Sequence, residues 1–123
     1  MNCTSRFPQI TDNVADILTV IRHEANFTGE IVILNYYSLD YANPVDNAGS
    51  IALNLAMDRG AKPFGVRIAN GYGAFEKAAS QSGGNTCTAG LLTQLTSGGC
   101  GVHPSAAGQA VLALAVERAI VGG

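Results

Sequence analysis

Apolar positions early in the chain recur at helical spacing: Val14, Ile17, Leu18, Ile21 and Ala25 follow Thr11-Asp12, a capping pair with an acidic first turn. They predict a helix over residues 12–26. The pattern then changes, because Ile31, Val32, Ile33 and Leu34 lead into Tyr36 and Tyr37 as a nearly continuous β-branched and aromatic run, which predicts a strand buried on both faces. A polar, turn-rich loop follows, and helical spacing returns over residues 45–59 through Ile51, Leu55 and Met57, with Gly60 as a left-handed cap. Residues 64–69 read as a second strand, and a turn over Asn70-Gly71-Tyr72-Gly73 leads to a short helix over residues 74–79. A Ser/Gly/Asn loop comes next, then residues 89–95 read as a short apolar helix or turn. The last helix is expected to start at Pro104 and run to Gly122. Strands alternating with helices predict an α/β fold, a partial flavodoxin-like three-layer α/β/α arrangement with a short parallel sheet, in one domain over residues 1–123.

Composition fits that picture, since 123 residues with 47% hydrophobic and 13% charged side chains can bury a substantial core. A formal charge of -2 provides no basic stripe, so no nucleic-acid partner is expected. No apolar stretch is long enough for a membrane span, and Met1 to Arg6 lacks the apolar core of a signal peptide. Of three cysteines, Cys87 and Cys100 bracket a Gly-rich segment and read as a short-loop disulfide, with free thiols in a reducing compartment as the alternative. No C-x-x-C or H-x-x-x-H spacing occurs, so neither a metal site nor a cofactor is expected.

Candidate chemistry concentrates in the block from Cys100 to Gln109, which places His103, one of two histidines, just ahead of an apolar helix. His103-Pro104-Ser105 followed by Gly108 is similar to the last signature block of the SGNH, or GDSL-type, serine hydrolases, D-x-x-H-P-(S/T)-x-x-G. In that family the histidine is the triad base. The apolar run ending at Tyr37 with Asn43-Pro44 after it, and the segment from Ile68 to Phe75 with Asn70 where an aspartate is frequent, extend the resemblance over most of the chain from Asp12. The resemblance implies hydrolysis of short-chain carboxylic esters, a small-molecule ester substrate, His103 as general base and a secreted parent, although no export signal stands in this chain.

Several positions depart from the family pattern. The aspartate position is Cys100, and neither it nor Gly101 can fix the imidazole tautomer as a triad carboxylate does. No charged residue lies between Lys77 and Glu117. G-D-S, whose serine is the family nucleophile, and G-x-N-D are both missing, and Gly83-Gly84-Asn85 lacks the following aspartate. The chain therefore resembles the C-terminal part of such an enzyme, with an incomplete or rebuilt triad. Ser105, Ser38 and Ser50 are the hydroxyls on offer, Ser105 with helix capping as its other role; Asp40 and Asp46 are the carboxylates expected near the same sheet edge, with capping as theirs. His103, Ser105 and Asp40 form the expected catalytic set. The alternative is a catalytically inactive binding or assembly module. A strand without its usual neighbour leaves a bare edge, which predicts a homodimer or higher oligomer unless residues 1–10, around Phe7, fold back over it.

Overall fold

Helix α1 (Phe7–Thr19) begins a turn before Thr11-Asp12, because Pro8 supplies a φ suited to a first helical turn. The computed structural model describes the backbone of residues 3–122 and side chains from Ser5 onward. A π-helical turn, Val20–Glu24, continues α1, and Asn26 then adopts a left-handed φ of 53°. Strand β1 (Val32–Leu34) is followed by helix α2 (Pro44–Ala61), which starts where Asn43 Oδ1 accepts from the Val45 N–H at 2.9 Å. Strand β2 (Arg67–Ala69) leads into helix α3 (Gly71–Ala79), capped by Asn70. Strands β3 (Leu92–Gln94) and β4 (Cys100–Pro104) and helix α4 (Ala106–Val121) complete the order.

Three local expectations need correction. Residues 89–95 contain strand β3 rather than a helix, because Leu92 pairs with Pro104 and Gln94 with Cys100 in an antiparallel ladder. Pro104 closes β4 instead of opening the last helix, which Ser105 caps. Gly60 is no C-cap: it lies buried inside α2, where an added Cβ would sit 2.3 Å from the Thr11 carbonyl oxygen of α1. The Thr11 hydroxyl donates to the Ala56 carbonyl at 2.8 Å across the same crossing.

The fold is mixed α/β, and its strands divide into a parallel pair, β1 and β2, and an antiparallel pair, β3 and β4. Val32, Ile33 and Leu34 face Arg67, Ile68 and Ala69 in register. Helix α4 packs on both parallel strands, whereas α1 packs on α2. The core joins Tyr37, Phe75, Ala79, Leu91 and Leu92. Phe7 lies in a groove against Leu55 and Ala56 of α2, and no strand pairs with the second edge of β1 among the described residues. The end of that edge is occupied by an amide: Asn54 of α2 accepts from the Tyr36 N–H at 2.7 Å and donates to the Tyr36 carbonyl at 2.8 Å. Among the described residues no helix is long and apolar enough to cross a membrane.

Candidate functional site

Three attachments fix the strand that carries His103. At its start, Cys100 is cross-linked to Cys87. In its middle, the Val102 carbonyl accepts from the Tyr37 hydroxyl at 2.7 Å. Tyr37 in turn stacks on the fully buried Phe75, with ring centroids 4.2 Å apart, so β4 is tied directly to the core. Burial raises the Tyr37 pKa above its ordinary value, with a smaller contribution from Tyr36. Beyond the strand, the Ser105 N–H donates to the Leu91 carbonyl at 2.9 Å and starts α4.

The signature block divides by role. Ser105 Oγ accepts from the Gly108 N–H at 3.2 Å and donates to the Gly90 carbonyl at 2.6 Å, which uses the hydroxyl as a helix cap. Gly108 is buried, and a Cβ there would lie 2.2 Å from the Leu91 carbonyl oxygen. Cys100, at the family's aspartate position, is held in the disulfide. His103 differs from all of these. It is exposed, and no hydrogen bond or ion pair reaches its imidazole among the described residues.

The other expected site residues serve backbone partners. Asp40 Oδ1 accepts from the Ala42 N–H at 3.0 Å and forms a turn on its own chain. Ser38 is fully buried and donates to the Asp40 carbonyl at 3.3 Å, while Ser50 donates to the Tyr37 carbonyl at 3.2 Å. A nucleophilic serine must donate to its base. Each of the three candidate hydroxyls donates to a carbonyl instead, so the fold does not join His103, Ser105 and Asp40 into a hydrogen-bonded set.

Asp46 and Ser50 do converge on the strand of His103. They line a groove of about 410 Å³ with Tyr36, Tyr37, Leu39 and Val102. Tyr41 ties the neighbouring loop: its hydroxyl donates to the Tyr72 carbonyl at 2.6 Å and accepts from the Ser38 N–H at 3.2 Å. Burial pushes its pKa up to about 12. Tyr37 is the positioning residue that sequence reasoning missed, since its partner carbonyl is 65 residues away and leaves no local signal. Comparison with protein-family models, with curated proteins and with solved structures finds no match to this chain.

Proposed function

We propose that this chain is the base-carrying part of an SGNH-type carboxylic ester hydrolase, with His103 as general base and a short-chain ester as substrate. One observation carries the reading. In a block whose cysteine, serine and glycine all have structural tasks, His103 is presented to solvent on an anchored strand with its imidazole free of protein hydrogen bonds. A free imidazole can take a proton from an attacking hydroxyl and return it to the leaving alkoxide. α4 against the parallel pair, with α1 on α2, supports the flavodoxin-like three-layer reading of the fold.

The hydroxyl that His103 would activate comes, in this reading, from a segment docked at the open edge of β1, supplied by a second copy in a homodimer. Backbone bonds from Asn35 to Ala69 and from Arg67 to Ile31 direct alternate residues of β1 toward β2. Val32 and Leu34 thus present their peptide groups to the other edge. The second reading, a binding module without turnover, is favoured by the bonding of Ser38, Ser50 and Ser105 to carbonyls.

A serine-reactive fluorophosphonate separates the two. The hydrolase reading expects one covalent adduct, found by peptide mass spectrometry on a serine other than Ser105, and lost in His103→Ala. No adduct at any protein concentration, with the variant and parent alike in ligand binding, would establish the binding module.

A further inference from the structure

The parallel register ends at Leu34 and Ala69, which sets Asn35 beside Asn70 one step beyond the strands. Residues two apart share a strand face, so both carboxamides stand on the face of Ile33 and Ile68. A cleft of about 360 Å³ opens there, walled by Ile33, Ile51, Leu55 and Ile68, with Asn35 and Asn70 at the carboxyl end of the strands. The pair of hydrogen bonds between the Asn54 amide and the Tyr36 backbone holds α2 as its far wall.

Hydrogen bonding orients the two amides. Asn35 Oδ1 accepts from the Tyr72 N–H at 2.8 Å, and Asn70 Oδ1 accepts from the Gly73 N–H at 2.9 Å. With each oxygen taken by the backbone, each Nδ2 is the free end, and neither has a protein acceptor among the described residues. The cleft thus offers the apolar side chains of Ile33, Ile51, Leu55, Met57 and Ile68 together with two uncharged amide donors that lack a protein acceptor. Its charged lining residue is the carboxylate of Asp58, which disfavours an anionic ligand. Ligands of open α/β sheets gather at the carboxyl ends of the strands, and a mostly apolar cleft with a few convergent polar groups is the usual form of a small-molecule site.

We propose that this cleft binds a neutral acyl compound, its chain against Ile33, Ile51, Leu55 and Ile68 and its carbonyl oxygen accepting from Nδ2 of Asn35 and Asn70. The inference stands on this geometry alone and does not require His103 to be catalytic.

The test follows the side-chain amide resonances of the full chain by NMR while N-methylhexanamide, an acyl probe that ester hydrolysis does not consume, is titrated in. Both NH₂ pairs are expected to shift saturably. Asn35→Asp and Asn70→Asp keep the oxygen that accepts from the backbone but replace the donor with a carboxylate oxygen, and each is expected to weaken binding by about tenfold or more. 1-Hexanol, which lacks the carbonyl, and hexanoate, which is charged, are expected to bind the unaltered chain more weakly by a similar factor. Absence of saturation, hexanol or hexanoate binding as tightly as the amide, or undiminished binding by folded Asp variants would each overturn the proposal. The comparison of the three probes needs no variant.

Discussion

His103 stands out because its neighbours are accounted for. Pro104 completes a strand pair with Leu92, Ser105 caps α4 and Gly108 admits the Leu91 carbonyl. The identities of these residues were legible in the sequence, but the division of labour was not, because Gly90 and Leu91 lie more than a dozen residues upstream and nothing local marks them as partners. Tyr37→Phe tests the anchoring of His103. Loss of the hydroxyl bond to Val102 should cost about 1 kcal/mol of stability in chemical denaturation. If the His103 strand carries the base, kcat for ester hydrolysis should fall several-fold while KM holds, since substrate contacts remain. Tyr41 gives the pH counterpart. Its folded-state pKa of about 12 lies above the ordinary 10.0, so the folded chain holds this proton more tightly than the unfolded one. The stabilisation is present in full below pH 10 and is lost as pH rises toward 12. Denaturation midpoints measured across that window should decline, and Tyr41→Phe should flatten the decline.

At the scale of elements, the sequence marked where helices and parallel strands occur but misjudged their ends. The run around Ile31 to Tyr37 predicts a long strand, yet pairing stops at Leu34, because the Asn35 side chain turns to the Tyr72 N–H and Asn54 takes the Tyr36 backbone. Apolar residues 89–95 carried no period that separates helix from strand; what decided it was the distant ladder with β4, next to the Cys87–Cys100 cross-link. Gly60 looked like a helix end and is a helix crossing. Gly60→Ala should therefore destabilise by about 1–3 kcal/mol, because the new methyl meets backbone that must shift. An unchanged melting temperature in calorimetry would contradict the close approach. The disulfide closes a loop with a sequence separation of 13. Cys87→Ser should lower stability by about 3 kcal/mol on loop entropy, and it should loosen β4, which is readable as faster amide exchange at Val102 and His103.

The whole molecule is an α/β unit with the exposed imidazole of His103, an open parallel edge and a separate cleft at the carboxyl ends of β1 and β2. The open edge was expected from the family resemblance, in which an earlier strand covers the run from Ile31 to Leu34, and among the described residues β1 pairs with β2 alone. Sedimentation equilibrium should accordingly show a reversible dimer, and a monomer at every concentration would remove the partner from the account. The most direct measurement is kcat/KM for p-nitrophenyl butyrate in the parent chain, His103→Ala, Ser105→Ala and His23→Ala, the last as a control because His23 is also an exposed imidazole. A general base typically contributes about a hundredfold to ten-thousandfold. A fall of that order is expected in His103→Ala alone, with Ser105→Ala losing stability rather than chemistry. Equal rates in the parent and His103→Ala would contradict it.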